Sequence, residues 1–598
     1  MDGETRLRVR RAAAPNSRCA RGDGDRMQIR WAYLKRVLAG AIFGLYIANL
    51  LYFLNPQVDI TPGHLLLVTV VYGLICGLLF GSALWGLRAL RVRLWGRPDE
   101  YRTHGFGFVV LAAFIAAAIY WIHLEVFRIY LPIGAVRVLQ KATNAITVTA
   151  FVLLLLWVLE RNADRRRSRF IFIAGVVVIA LSSIVLYERR DSYRTEKQRV
   201  VVANIGTVAG QRPVLFVAIR NLPYDWIVTM IGEGRLPFFE QARSRAYFTR
   251  LEPFPTMDAK ALWASIATGK LPFRHGVTGR FAYRTLLNRD PEDRFLIVPS
   301  GVGFKAWGLI PPVRRISTQL PSGDSLPLWT LFERVGLRAA VIDWPSSDAT
   351  GASIVVTDDF FDARNTNRAR EVSPRTFVPQ AERLLQQVPN EALQRFAGAP
   401  NDRRPRIAAA LAADLSAVAI ARTVAPNRAF ALDAVALNGF EEAQRAIHIF
   451  TNELPPKTNV KGEIARAYAE QLDRMLASLA HDFPDHLIVV VSPSGPVPPT
   501  ISATPYEIVR DLVVADDPGA DDGFVLIAGA GVAHRDNPEA ARAEDVVPTI
   551  LYAAGLPVAR DIDGRVLTDA FDEEVLRRTP LSVVQTYEAK QLIVRRGG

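Results

Sequence analysis

Cysteine and histidine are the side chains that could most readily hold a metal ion or act as nucleophile and base, and this 598-residue chain has few of them. Its two cysteines are Cys19 and Cys76, so the chain beyond residue 190 can form neither a disulfide framework nor a CxxC metal or redox site. Five histidines are scattered over that second part: His275, His448, His481, His486 and His534. Each is interpreted as a surface or hydrogen-bonded core histidine rather than a metal ligand.

Five long apolar stretches precede residue 190, and most of them reach the length needed to cross the hydrocarbon core of a membrane. Their bounds are 37–54, 65–87, 106–127, 145–159 and 170–187. The fourth is short, but its Leu-rich composition favours a tilted span over a soluble core helix. A cleaved signal peptide fits poorly, because the first stretch follows a 36-residue polar tail and precedes four more. We therefore predict a basic tail over 1–36 and a transmembrane region over 37–190.

Positive charge is concentrated in the segments 1–36, 88–102 and 160–169, whose net charges are +6, +3 and +3. The segments 55–64 and 128–144 between them are poorer in Lys and Arg. The positive-inside rule therefore predicts a cytoplasmic N-terminus and, after five spans, a periplasmic or extracellular C-terminal part of a protein of the cytoplasmic membrane. The three basic segments account for almost all of the net charge of +13, so their expected partner is the lipid bilayer and not nucleic acid.

From Pro213 onward, short apolar runs alternate with helical stretches. Six runs are typical of buried strands, namely 214–219, 339–342, 353–356, 434–437, 487–491 and 525–527. Their continuous apolarity suits a mostly parallel sheet covered on both faces, and it predicts an α/β/α sandwich over 213–598 after a linker over 191–212. The segment 359–425 is rich in Ala, Arg, Gln and Leu and lacks a strong strand, which predicts a helical cap insertion over one edge of the sheet.

Several motifs of this second part follow one another in the order of a known family. They are GRLPFF at 234–239, Pro255-Thr256, WASIATG at 263–269, IDWP at 342–345, NGFE at 438–441, Ser492 with Gly495, DVVPTIL at 545–551 and Asp563-Gly564-Arg565. Together they resemble the alkaline phosphatase superfamily, and in particular its type I phosphodiesterase/nucleotide pyrophosphatase group. The ordered matches extend from residue 214 to residue 565.

The resemblance implies hydrolysis of phosphate or sulfate esters by two metal ions, usually zinc, and a Thr or Ser nucleophile at the carboxyl ends of the strands. Such a site needs about three carboxylates and three imidazoles. The family's functional positions are occupied here by Arg220 at the first aspartate, Asp258 at the nucleophile, Glu441 and Arg445 at a paired aspartate and histidine, and Pro493 and Ser494 at the aspartate and histidine of the serine corner. Only Asp258 and Glu441 could still bind a metal ion, so we expect no zinc cofactor.

Two cations thus replace metal ligands, and Arg220 and Arg445 are expected to lie near Asp258 and Glu441. The favoured interpretation is a set of structural salt bridges, because buried arginine beside acidic residues usually has that role. The alternative is an anion-binding pair, since guanidinium groups bind phosphate or sulfate through two hydrogen bonds.

The leading hypothesis is a membrane-anchored pseudoenzyme that acts in ligand binding or assembly, with a phosphate- or sulfate-bearing ligand and envelope proteins as candidate partners. An active phosphoester hydrolase or transferase is the alternative, with Asp258 as nucleophile and with Arg220 and Arg445 stabilising charge. A third class is a transporter, for which His123 and Glu125 in the third span are the polar groups to consider; placement at the membrane interface is preferred for both.

Overall fold

The computed structural model describes residues 18–54, 61–95, 105–128, 133–161, 163, 165–190, 202–208, 212–253, 259–277, 281–284, 314–317, 325–345, 347–424, 430–449, 454–495 and 521–596. The chain divides into two compact units. One unit comprises Met1–Leu124 and Gly134–Arg194, and the other comprises Glu125–Ile133 and Thr195–Gly598.

The first unit is helical. Its helices are α1 (Arg18–Leu54), α2 (Pro62–Val68), α3 (Cys76–Trp95), which follows α2 through a π-helical stretch at Thr69–Ile75, α4 (Gly105–Phe127), α5 (Ile133–Arg161) and α6 (Arg165–Glu188). Among the described residues of this unit, five helical segments are long and apolar enough to cross a membrane: Arg36–Leu54, Leu65–Leu87, Phe106–Glu125, Gly134–Arg161 and Arg166–Glu188. The first three predicted stretches match their segments to within two residues at each end, whereas the fourth segment starts 11 residues earlier than predicted and the fifth starts four residues earlier.

The fourth segment is longer than predicted because its first turns combine polar residues with one apolar face. Ala135, Val138, Leu139 and Ala142 recur at helical spacing and are buried, while the residues between them include Arg137 and Lys141. A search for continuous apolar runs therefore misses these turns.

Polar side chains also join helices of this unit. The Tyr46 hydroxyl of α1 lies 3.0 Å from Thr149 Oγ1 of α5 and 2.8 Å from Ser182 Oγ of α6. His123 is buried, whereas Glu125 is exposed and lies 3.4 Å from the Arg128 guanidinium. The two polar positions noted in the third span thus differ in solvent exposure.

The second unit contains the predicted sheet. Its strands are β1 (Val202–Val208), β2 (Val214–Ile219), β3 (Tyr247–Glu252), β4 (Phe281–Arg284), β5 (Arg314–Ser317), β6 (Ala339–Trp344), β7 (Ile354–Thr357), β8 (Val372–Ser373), β9 (Leu432–Leu437), β10 (Leu487–Ser494), β11 (Asp522–Ala528), β12 (Ala541–Arg542), β13 (Val558–Ala559), β14 (Val583–Val584) and β15 (Gln591–Arg596). Nine of them form one sheet in the order β12-β3-β11-β10-β2-β9-β6-β7-β8. Within it β8 and β11 run antiparallel to their neighbours and the other pairs are parallel, which confirms the mostly parallel sheet.

Helices cover both faces of this sheet. They are α7 (Tyr224–Gly232), α8 (Pro237–Arg243), α9 (Ala259–Thr268), α10 (Pro272–His275), α11 (Leu328–Arg334), α12 (Val378–Arg383), α13 (Asn390–Gln394), α14 (Arg404–Val424), α15 (Gly439–Ile447), α16 (Val460–Asp482), α17 (Val546–Ala553) and α18 (Glu573–Arg578). Alternate residues of β2 show the two layers: Leu215 and Val217 belong to a core with α7, α8, α14, α15 and α16, while the ring of Phe216 lies 5.1 Å from that of Trp344 on the opposite face. The α/β/α architecture is therefore confirmed.

Two segments differ from their predicted roles. In the predicted linker, residues 202–208 form β1, which pairs in parallel with β15; Ala203 and Ile205 are buried and Val202 is exposed, as expected for a strand with one buried face. In the predicted cap, strand β8 extends the edge of the sheet beside β7.

Helix α14 is the longest element of the predicted cap and is also the sixth helix long and apolar enough to cross a membrane. Its apolar side chains are used inside the second unit, because Ile407, Leu411 and Ile420 are fully buried in the core beneath β9. The helix thus belongs to the layer that covers the sheet rather than to a cap above its edge.

Candidate functional site

The carboxyl ends of four neighbouring parallel strands, β10, β2, β9 and β6, meet at one edge of the sheet. This is the edge at which sheets of this kind bind ligands. Arg220 follows β2 directly, and Glu441 and Arg445 lie on α15, which begins one residue after Asn438 at the end of β9. Three of the predicted site residues are therefore brought to one place.

Glu441 lies between the two arginines. Its Oε2 is 2.5 Å from Nε of Arg220, and its Oε1 is 2.7 Å from an Nη atom of Arg445, one helical turn further along α15. Each carboxylate oxygen is thus in contact with a different guanidinium group. The Arg445 contact is a charge-assisted hydrogen bond, whereas the Arg220 contact is an ion pair without hydrogen-bond geometry.

Solvent exposure differs sharply within this cluster. The side chain of Glu441 is only 7% exposed, whereas that of Arg220 is 26% exposed and that of Arg445 is 56% exposed. The cations therefore face solvent and the anion lies behind them. Arg445 also lies 3.7 Å from the exposed carboxylate of Glu442, so the two guanidinium groups are balanced by two carboxylates.

The backbone around the cluster is held by side-chain amides. Asn221 and Asp343 have left-handed φ angles of 61° and 59°, which these residue types tolerate better than most others. Gln444 Nε2 donates a hydrogen bond to the carbonyl oxygen of Asn221 at 3.2 Å, and Asn438 Nδ2 donates one to the carbonyl oxygen of Asp343 at 2.7 Å. Helix α15 and the residue before it therefore fix the turns that follow β2 and end β6.

Asp343 is a buried acid behind this cluster. Burial raises the pKa of its carboxyl well above the ordinary value, and the nearby Asp358 and Asp414 act in the same direction, while Asn438 and Arg220 oppose the shift. Within the described part of the chain, Asp343 Oδ2 and Asn438 Oδ1 find no hydrogen-bond donor. Burial and the neighbouring carboxyl groups thus favour the protonated form of Asp343 more than in an exposed acid.

The serine corner has a structural role here. The Ser492 hydroxyl accepts a hydrogen bond from the backbone N–H of Leu222 at 3.0 Å and donates one to the carbonyl oxygen of Ser494 at 3.2 Å. Pro493 and Ser494 belong to β10, and Ser494 pairs with Asp522 of β11. This corner ties the end of β10 to the turn after β2, beside Arg220.

Asp258 lies outside the described residues, one position before the start of α9. Among the residues that the structure does describe, no group of three or more His, Cys, Asp or Glu side chains could hold a metal ion. The five histidines do not meet at this edge: His275 is buried with its Nε2 3.0 Å from Ser265 Oγ, and His486 lies before the amino end of β10.

Two residues that the sequence analysis did not single out anchor the site from behind. Asp414 of α14 accepts a hydrogen bond from the backbone N–H of Gly439, the first residue of α15, at 3.0 Å. Tyr468 of α16 donates its hydroxyl to the other oxygen of Asp414 at 2.9 Å. The available signal in the sequence was a single acidic residue in the middle of a long, otherwise apolar helix.

Comparison with family models found no matching family, and comparison with curated proteins found no match. Solved structures with a similar fold include phosphonoacetate hydrolase from Sinorhizobium meliloti, with 15% identity and a TM-score of 0.30 over 48% of this chain and 56% of that enzyme. A putative sulfatase from Bacteroides thetaiotaomicron has 13% identity and a TM-score of 0.37 over 60% of this chain and 74% of that one. A mutant of the alkaline phosphatase PafA has 11% identity and a TM-score of 0.37 over 61% of this chain and 100% of that one.

Proposed function

We propose that the second unit is a domain of the alkaline phosphatase superfamily that binds a phosphate- or sulfate-bearing ligand through Arg220 and Arg445 without metal-dependent hydrolysis. The ordered motifs of the sequence support the family. The observation that carries the function is the contact of both Glu441 oxygens with guanidinium groups at the carboxyl edge of the sheet.

The same contact argues against a dimetal centre at these positions. A divalent cation bound to Glu441 would have to displace at least one arginine and would then lie within a few ångströms of two positive charges. Coulomb repulsion at such distances is large in a partly buried site. Glu441 is therefore paired with two positive charges and is a poor metal ligand.

An anion, in contrast, suits the exposed side of the cluster. Arg220 and Arg445 each carry several N–H donors, and a guanidinium group binds phosphate or sulfate oxygens in pairs. Because Glu442 also lies 3.7 Å from Arg445, the attraction for an anion rests on the exposed N–H donors of the arginines and not on a net positive charge of the cluster. The ligand is thus expected to bind at the solvent side of the two arginines.

The helices of the first unit would anchor this domain to the cytoplasmic membrane. The distribution of Lys and Arg supports a cytoplasmic N-terminus and a periplasmic or extracellular domain. In that place the domain would act as a binding or assembly component, with envelope proteins as its candidate partners.

The decisive experiment measures three properties of the full-length protein in an uncharged detergent: metal content by elemental analysis, hydrolysis of a chromogenic phosphodiester, and binding of inorganic sulfate by calorimetry. We expect no stoichiometric metal, no turnover and measurable sulfate binding. Stoichiometric zinc or manganese together with turnover would overturn the proposal. Turnover that survives chelation and disappears in Asp258→Asn would instead support the hydrolase or transferase alternative.

A further inference from the structure

Helix α15 carries both Glu441 and Arg445, so the place of this helix determines the geometry of the candidate site. We propose that Asp414 and Tyr468 are positioning residues, which hold the N-terminus of α15 at the end of β9 and thereby set the distance between Glu441 and Arg220. The predicted effect on ligand binding rests on the proposed function, whereas the effect on α15 does not.

Both oxygens of Asp414 are used for this purpose. Oδ1 accepts the Gly439 N–H at 3.0 Å, and Oδ2 accepts the Tyr468 hydroxyl at 2.9 Å. Asp414 and Tyr468 are both fully buried. The N–H groups of a first helical turn lack partners within their own helix, so a buried carboxylate there is a strong anchor.

Close packing at Gly439 fixes the position of α15 against α14 and α16. A Cβ atom at this position would lie 2.0 Å from the Tyr468 hydroxyl, 2.6 Å from the carbonyl oxygen of Ala410 and 2.7 Å from Asp414 Oδ2. The backbone of α15 thus approaches α14 and α16 as closely as a residue without a side chain allows. A displacement of either helix would be transmitted to α15 directly.

The anchored end of α15 lies close in sequence to the site residues. Glu441 is two residues beyond Gly439, and Arg445 follows one turn later on the same helix. Gln444 of α15 also holds the carbonyl oxygen of Asn221, the neighbour of Arg220. A shift of α15 would therefore change the Arg220–Glu441 contact from both sides.

The chain contains a matched control for these contacts. Asp473 of α16 is also buried, and its two oxygens accept hydrogen bonds from the backbone N–H groups of Phe238 and Phe239 at 3.1 Å each, in the first turn of α8. Helix α8 carries none of the site residues named above. Asp414→Asn and Asp473→Asn therefore weaken similar anchors of two different helices.

The test compares full-length Asp414→Asn, Tyr468→Phe and Asp473→Asn with the wild-type protein in an uncharged detergent. Sulfate affinity is measured by calorimetry, thermal stability by unfolding, and backbone protection by hydrogen exchange. Asp414→Asn is expected to weaken sulfate binding about tenfold and Tyr468→Phe less, since each loses part of a buried anchor. Both should accelerate exchange at the start of α15. Asp473→Asn should lose thermal stability while sulfate affinity stays within about twofold of the wild type.

Two results would overturn the inference. One is a loss of thermal stability in Asp414→Asn and Tyr468→Phe with unchanged sulfate affinity. The other is unchanged exchange at residues 439–445 in both variants. If the wild-type protein binds no sulfate, the proposed function fails, and the exchange measurement still decides whether Asp414 and Tyr468 position α15. Tyr468→Phe removes a single hydroxyl, so it keeps the test valid if Asp414→Asn does not fold.

Discussion

Nε of Arg220 lies 2.5 Å from Oε2 of Glu441, so a cation that follows β2 and an anion from the helix that follows β9 are in direct contact at the carboxyl edge of the sheet. The contact gives Glu441 a second role besides balancing the positive charge of the arginines. Its carboxylate contacts the same two guanidinium groups that the proposed phosphate- or sulfate-bearing ligand would bind. An anion on the solvent side of these arginines therefore competes with Glu441 for their positive charge without having to displace it.

Glu441→Gln should consequently strengthen sulfate binding. The substitution keeps the shape of the side chain but removes the negative charge between the two guanidinium groups, and we expect the dissociation constant to fall by about tenfold. Calorimetric titration of the full-length variant with inorganic sulfate measures this dissociation constant. Weaker binding than in the wild type would mean that Glu441 mainly orients the arginines and does not compete with the ligand.

Arg445→Ala should abolish most of the sulfate binding and leave the fold intact. Its side chain is more than half exposed, so the lost ion pair with Glu441 should change the free energy of unfolding by no more than about 1 kcal/mol. Arg364→Ala is the control, because the Arg364 side chain is 91% exposed and its partner is Asp362. Equal loss of affinity in the two variants would indicate a nonspecific charge effect.

The Asp343→Asn variant should become increasingly stable relative to the wild-type protein as the pH rises. The folded-state pKa of Asp343 is raised, so the folded protein binds the proton more tightly than the unfolded one, and this stabilisation is lost as the pH rises through the raised pKa. Asparagine cannot ionise and also tolerates the left-handed backbone at this position. Thermal unfolding from roughly pH 5 to pH 8 measures the difference between variant and wild type.

The control for this pH series is Asp362→Asn. The guanidinium group of Arg364 lowers the pKa of Asp362, so that carboxylate contributes to stability above its ordinary pKa and loses the contribution as the pH falls. Its variant should therefore not gain stability over the wild type with rising pH. A difference for Asp343→Asn that is independent of pH would show that the acid is charged throughout.

Thiol labelling should show that the basic N-terminal tail and the second unit lie on opposite sides of the membrane. In a variant with Cys19→Ser, Cys76→Ser and Arg364→Cys, the new thiol replaces a highly exposed side chain and should react with a membrane-impermeant maleimide added to spheroplasts. The comparison variant, Cys76→Ser, keeps Cys19 in the basic tail and should react only after lysis. The reverse pattern would contradict the predicted orientation.

The sequence predicts best the strands that are covered on both faces. The bounds of β2 match the apolar run 214–219, because every residue of this central strand is buried. Strand β9 begins at Leu432, two residues before the predicted start, since the buried Asp433 interrupts the apolar pattern. Strand β3 was missed because Thr249 and Arg250 break its run, and two-residue strands such as β8 carry too little pattern to be recognised.

The candidate site was predictable to the extent that its residues lie at strand ends. The apolar runs and the motifs that follow them bring Arg220, Glu441 and Arg445 together without knowledge of side-chain packing. Asp414 and Tyr468 could not be placed in this way, because Asp414 lies 25 residues from Gly439 and Tyr468 lies 54 residues from Asp414, and the packing of α14 and α16 brings them together. Helix positions relative to a sheet depend on the complementarity of many side chains, which no local pattern encodes.

The pairing of β1 with β15 has a consequence for synthesis. Among the described strands, β1 pairs with β15, and the rest of the sheet-forming part of the second unit lies between them in the chain. This pairing can therefore form only after both strands have been synthesised. A nascent or shortened chain that lacks residues 591–596 would leave the pairing edge of β1 open to other chains.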